Sequence, residues 1–452
     1  MTQGENQSRT VKPKRLGVKG VVDILIFLVP CLRFVQVQLV GRLSGSDILV
    51  MVIFLCLAVR LQIRIPTRAA KWLLFFCSLW LISQCVTDMV RHSAFHDYAR
   101  GWSGIGITIA CLAVFFTLLY GSPRRIEIFG WGLVVGGFLS FLIIPDEGMA
   151  ADPWKFGIAA ALNLAVFLLA SRNEFRGRWA IFLGLAIAIL NIAMGTRSAG
   201  GACLAAVLCL LITRSMRRRN PAKRKIGASS VIAIAASIIL GLWGLIWAYQ
   251  YSAGNGTLGE DARRKYEREA GGKYGILLGG RMDMVGAFFA IYDSPILGHG
   301  SWAKDPKYLL AQEQALALMG YPVEGDVSPD TLKEGLIPSH SHILGAWVDA
   351  GILGALFWIL VLFMTLKRLA RVQPLSAPLL PLAVFSAFTL LWDIVLSGYG
   401  AEMRMITTYH IVVVMSCLGV AAPAVEPVAT KKLEGPVKVR PIRKSLSKSA
   451  QS

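Results

Sequence analysis

Three places in the chain combine residue types that can handle phosphate and proton transfer: Arg197, Arg281 and the pair His340 and His342. Arg197 sits in Met194-Gly195-Thr196-Arg197-Ser198-Ala199-Gly200-Gly201, which reads as a tight turn between two apolar helices. An arginine costs roughly 2.5–3.5 kcal/mol at a bilayer centre and less near the interface. Its ordinary explanation there is a side chain snorkelling to lipid headgroups. The small residues Gly195, Ser198, Gly200 and Gly201 permit more. They let a backbone or a ligand approach closely, and a helix starting near Ser198 aims free N–H groups at an anion.

Arg281 follows Gly279-Gly280 and opens an amphipathic segment, 281–292, in which Met284, Phe288 and Ile291 share one helical face. A cation at a helix N-terminus opposes the helix dipole. A bound phosphate would satisfy both; the plain alternative is a solvated surface arginine. His340 and His342 stand where a long polar stretch returns to apolar sequence, and an imidazole there can act as a general base near neutral pH. The plain alternative is a capping or interfacial histidine. Two histidines at i, i+2 with no cysteine or carboxylate beside them lack zinc-ligand spacing. His92 and His96, followed by Asp97, would share a helix face but lack the glutamate of the protease arrangement. No metal and no cofactor is therefore assigned. Arg91, His299, Glu402 and Arg404 are further polar residues at the same membrane edge that can line a cavity.

The elements that must position these residues are apolar. The 452 residues are 55% hydrophobic and 16% charged, with a mean hydropathy of +0.57. Apolar runs long enough to cross a bilayer (about 20 residues) alternate with basic or glycine-rich turns. The expected fold is an all-α polytopic membrane protein of about twelve transmembrane helices, near 20–40, 47–65, 71–90, 102–120, 126–144, 154–171, 178–195, 199–214, 228–249, 342–366, 376–397 and 404–422. Residues 1–19 read as a basic cytoplasmic tail without a cleavable signal, 20–249 as helices one to nine and 250–341 as one large loop. Residues 342–422 read as helices ten to twelve and 423–452 as a basic, disordered cytoplasmic tail.

Alternate turns carry the cations: Arg64, Arg68 and Lys71; Arg124 and Arg125; Arg172, Arg176 and Arg178; Arg214 to Lys225; Lys367, Arg368 and Arg371. The positive-inside rule puts these in the cytoplasm and the large loop outside it. The net charge of +20 is thus topological. Nucleic acid is excluded as a partner, because no segment offers a stacking, phosphate-tracking groove. All eight cysteines lie in apolar runs, so the loop has no disulfide framework. Within it, 261–270, 281–292 and 307–319 read as short helices, the second stopped by Asp293-Ser294-Pro295, and 321–338 as loop.

The chain has no phosphate loop of the nucleotide-binding kind, no dinucleotide fingerprint, no nucleophile elbow and no Asp-x-Asp pair for a nucleotide sugar. Energy and leaving group must arrive with the substrate. Three motifs resemble the O-antigen ligase and Wzy-type polymerase superfamily of bacterial membrane glycosyltransferases. The first is His340-Ser341-x-x-Leu344-x-x-x-x-Asp349-x-Gly351-x-x-Gly354, whose register selects His340 over His342. The second is Arg281 followed by Pro295-x-x-Gly298-x-Gly300, and the third is Thr196-Arg197-Ser198-Ala199-Gly200. Ser341 and Asp349 depart from the family's commoner Asn and Glu.

The resemblance implies an inner-membrane enzyme, metal- and ATP-independent, with its site on the periplasmic side. It would move a glycan from undecaprenyl diphosphate to an acceptor hydroxyl, lipid A core or another glycan. In that role Arg197 and Arg281 bind the diphosphate, His340 is the base, and a single displacement inverts the anomeric centre. A polymerase of O-antigen or exopolysaccharide shares the donor chemistry. A lipid-linked glycan transporter is the reading from another class; the absence of a repeat between the halves and the one-sided polar residues argue against it.

Overall fold

The computed structural model describes residues 18–38, 41–172, 178–219, 228–257, 259–321, 335–371 and 379–418. The expected N-terminal tail up to residue 17, the expected C-terminal tail, the basic 220–227 turn and most of the 321–338 loop fall outside the described residues, while residues 18 and 19 of the expected tail already belong to the first helix.

A helix occupies each of the twelve expected apolar segments, from Val18–Cys31 to Met403–Cys417. Among the described residues, six are long and apolar enough to cross a membrane: Arg68–Arg91, Phe95–Leu118, Pro123–Ile143, Pro153–Ser171, Arg197–Ser215 and His342–Leu369. Others are shorter: Gly45–Val59, Arg178–Ala193, Leu380–Leu396 and Met403–Cys417 have 10–17 residues. At 1.5 Å per residue these fall short of the roughly 30 Å hydrocarbon core.

The first segment departs most from its expectation. Its helix ends at Cys31, a single 3₁₀ turn follows, and Gln36–Gln38 pairs antiparallel with Arg42–Ser44. Pro30 near the helix end and the alternating Val35-Gln36-Val37-Gln38 carry the reason, since period-two alternation favours a strand. The small hairpin presents Arg42.

Turns expected on one membrane side do meet one another. Arg64 N–H donates to Thr117 Oγ1, Arg124 pairs with Asp23 at 2.9 Å, and the Arg368 guanidinium donates to the Leu418 carbonyl. At the opposite end Arg42 pairs with Asp146 at 3.0 Å and Lys304 with Asp97 at 2.9 Å.

The His342–Leu369 helix is central. It packs along Arg68–Arg91, where Trp80 stacks on Phe357 (ring centroids 5.7 Å) and meets Trp358 edge-on. Tyr399 closes that aromatic cluster. A second layer stacks Phe167 on Phe385 at 4.4 Å and Phe129 on Tyr409 at 5.4 Å.

The loop helices run Glu260–Ala270, Gly275–Gly279, Met284–Asp293 and Pro306–Leu318. The expected 281–292 helix begins three residues late, so Arg281 lies in the turn before it. Its buried face is Val285, Gly286, Ala287 and Ala290, while Phe288 is exposed. Small residues are what admit it against the His342–Leu369 helix; Met284 and Ile291 flank that contact.

Candidate active site

The two glycine motifs interlock. At Gly351 (φ 66°) the His342–Leu369 helix is broken, which frees carbonyls that would otherwise accept within the helix. The Pro295–Gly300 turn takes them over. His299 N–H donates to Val348 O at 2.7 Å and Gly300 N–H to Asp349 O at 3.0 Å, while Ile352 N–H donates back to Pro295 O at 3.1 Å. Ser83 Oγ donates to Ala350 O, and the Trp347 indole to Pro295 O.

The turn is clamped from below by Arg68–Arg91. Thr87 Oγ1 donates to Leu297 O, and Arg91 donates to Gly298 O and Ser294 Oγ. Arg91 is therefore a strut rather than a ligand. Asp88, 3% exposed, accepts from Ser301 N–H, Ser301 Oγ, Ser93 Oγ and the Trp102 indole, all at 2.6–2.7 Å. Asp88→Ala strands those donors at roughly 1–3 kcal/mol each where they stay buried. We expect it to lower the thermal midpoint of the detergent-solubilised protein by many degrees, and Asp88→Asn to do less. A midpoint within two degrees of wild type would contradict the clamp.

Above this platform, residues 335–341 run extended. Asp305 N–H donates to Gly335 O and Ile337 N–H to Ala303 O. Ser341 caps the next helix, accepting from Leu344 N–H and donating to Ile394 O. That is the local task of this position, and serine performs it as asparagine does. His342 is wholly buried between Trp358 and Tyr399, with Nδ1 2.6 Å from Ser397 O. It is a core residue.

His340 is exposed, and its Nδ1 lies 3.2 Å from Asp283 Oδ2. A carboxylate there favours the tautomer with the proton on Nδ1, leaving Nε2 to accept a proton. His340 borders an open cavity of about 750 Å³, whose walls include Trp80, Gln84, Arg100, Trp302, Asp349 and Arg404.

The two sequence-selected arginines lie together, outside that wall. Arg197 is the first residue of its helix, after Gly195 at φ 76°. Its Nη2 donates to both carboxylate oxygens of Glu269, at 3.0 and 2.9 Å, and its guanidinium lies over the Tyr249 ring at 4.4 Å. Glu269 is 6% exposed. It engages one nitrogen only, so Nη1 and Nε of Arg197 have no protein acceptor among the described residues. The small residues have mixed duties: a Cβ at Gly200 would press on Ile192 and the Ala188 carbonyl, so that glycine serves helix packing.

Arg281 lies over the Trp392 ring at 5.4 Å and donates to Gly280 O. Burial pushes its guanidinium below the ordinary range and the neighbouring Arg197 charge pushes the same way; Glu269 and Asp283 oppose them. Gly279 explains itself through Glu269, because a Cβ there would overlap the Glu269 carbonyl.

Sequence reasoning missed Asp283 and Glu269. Asp283, two residues beyond Arg281, was open to notice; Glu269 had no signal, being one acid among several in a charged helix. His92 and His96 do not share a helix, since His92 ends one in the left-handed region (φ 54°) and the next begins at Phe95. Among the described residues no group of three metal-ligating side chains forms. His299 holds the Ala290 carbonyl at 2.7 Å and packs on Tyr308. Compared with models of known protein families and with curated proteins, the chain matches none. The family resemblance therefore stands on its three short motifs.

Proposed function

We propose that the protein is a bacterial inner-membrane glycosyltransferase of the O-antigen ligase type. It transfers a glycan from undecaprenyl diphosphate to an acceptor hydroxyl. One observation carries the reading: His340, backed by Asp283, opens onto a large cavity, while Arg281, two residues from Asp283, lies beside Arg197. In this reading the twelve helices span the membrane and the loop-bearing end faces the periplasm, as the basic turns at the other end favour.

The chemistry is a single displacement. The acceptor oxygen attacks the anomeric carbon as His340 Nε2 takes its proton. The bond from that carbon to the phosphate oxygen breaks, and its electron pair leaves on undecaprenyl diphosphate. Arg197 and Arg281 neutralise the charge that develops there by charge-assisted hydrogen bonds. Direct attack by the acceptor oxygen in one displacement inverts the anomeric centre.

The test is transfer by the purified chain in lipid nanodiscs, given a lipid-linked glycan and an acceptor glycolipid, without ATP and with chelator present. Glycosylated acceptor and free undecaprenyl diphosphate are expected. If donor units join to each other instead, the protein is a polymerase; if neither product forms, the reading fails. The diphosphate role adds a sharper expectation. Arg281→Lys should lower kcat/KM nearly as far as Arg281→Ala, on the order of ten- to a hundredfold, because lysine keeps the charge but loses the fork. A lysine variant close to wild type would remove Arg281 from the leaving group.

A further inference from the structure

Arg404 carries a charge with no ion-pair partner among the described residues. The residue is 8% exposed, its Nη1 is buried with no hydrogen-bond partner, and its side chain borders the cavity that His340 borders. A guanidinium stays protonated in any protein setting, so it cannot escape the cost of burial by losing a proton. Its neighbours fit the same purpose. Arg42, from the hairpin, and Arg100, stacked at 4.2 Å on Trp302, line the same cavity. Arg42 is occupied by Asp146 and Gln36. The cavity also holds the carboxylates of Glu402 and Asp349, but neither forms an ion pair with Arg404 among the described residues. Gly104 brings bare backbone to the guanidinium, where a Cβ would stand 3.3 Å from Nη2.

Arg197 and Arg281 do not line this cavity. Cations thus flank His340 in two separate groups, one on the loop side and one inside the cavity. A single diphosphate occupies one of them. From this juxtaposition we infer that Arg404, in a cavity whose wall Arg42 and Arg100 make more positive, binds an oxyanion carried by the acceptor, a phosphate or carboxylate on its sugars, and so orients the acceptor hydroxyl toward His340. The inference rests on the glycan-transfer reading for its acceptor, but its anion site can be measured alone.

Two measurements on the full chain test it. In detergent, inorganic phosphate should raise the thermal midpoint of Arg281→Gln, whose donor site is weakened, while the double variant Arg281→Gln/Arg404→Gln should lose that rise. In transfer assays Arg404→Gln should raise the acceptor KM about ten- to hundredfold for a phosphorylated acceptor. The donor KM should stay within twofold, and a phosphatase-treated acceptor should show no difference between wild type and variant. Arg404→Lys guards against misfolding by keeping the charge. Glu402→Gln, which removes a competing carboxylate from the cavity wall, should lower the acceptor KM. A phosphate response left unchanged when Arg404→Gln is added to Arg281→Gln, or a defect that falls on the donor KM, overturns the inference. If no form of the protein transfers glycan, the phosphate response still decides whether Arg404 binds an anion, and the transfer reading alone is lost.

Discussion

His340→Ala should lower the rate of glycan transfer by about 10²–10⁴-fold while leaving donor affinity nearly intact. That range is the usual contribution of a positioned general base. The structure leaves the side chain few duties: it is exposed, its side-chain partner among the described residues is Asp283, and the cap and core duties nearby belong to Ser341 and His342. Loss of activity in this variant therefore reports chemistry and not folding, which the thermal midpoint checks directly. His342→Ala is the contrast, since it empties a site packed between Trp358 and Tyr399 and should lower the midpoint instead. Asp283→Asn keeps shape and removes the charge. An ion pair this exposed is worth at most about 1 kcal/mol, roughly fivefold in rate. Its effect should vanish in the His340→Ala background, because Asp283 acts only through the imidazole. Near-wild-type transfer by His340→Ala would falsify the assignment of the base.

Gly351→Ala should be the most damaging substitution to the fold. The residue stands at φ 66°, where an L side chain is strained by roughly 1–2 kcal/mol. The larger penalty is steric, because the added Cβ would overlap the Ile296 carbonyl, and a backbone atom cannot swing away as a side chain can. Overpacking commonly costs about 1–3 kcal/mol. Together these give about 2–5 kcal/mol, a large part of the usual margin of a folded protein. Gly298→Ala meets the same joint from the other side: φ is 82° and its Cβ would lie 2.6 Å from Gly351 N. Because both substitutions force apart one contact, the pair should be markedly less than additive in a double-mutant cycle. The measurement is the thermal midpoint and yield of each variant; a midpoint close to wild type for Gly351→Ala would refute the interlock. Activity should fall with the joint, since the His340 segment and the Arg281 turn are both tied to it.

Much of this was legible in the amino-acid order. Apolar runs long enough for a bilayer set where the helices lie, because a backbone in lipid must satisfy its hydrogen bonds within its own segment. The spacing from His340 to Leu344, Asp349, Gly351 and Gly354 separated the two histidines; in the structure His342 is in the core and His340 is exposed. Local signals also placed the loop helices to within a few residues, although the 281–292 face was misassigned. Periodicity names a face by residue size, whereas close approach to the His342–Leu369 helix selected small residues.

What the order of residues could not supply is which distant groups meet. Glu269 finds Arg197 across 72 positions, and Asp88 finds Ser301 across 213. Short polar side chains carry no periodic signal that pairs them, so only the packed helices decide such contacts. The two glycine motifs were likewise legible only as spacings, and packing makes them a joint between two backbones. Arg404 was one of several weak polar candidates along the chain. Its buried charge beside the His340 cavity, unpaired among the described residues, exists only in three dimensions, because burial is a property of neighbours that sequence does not hold.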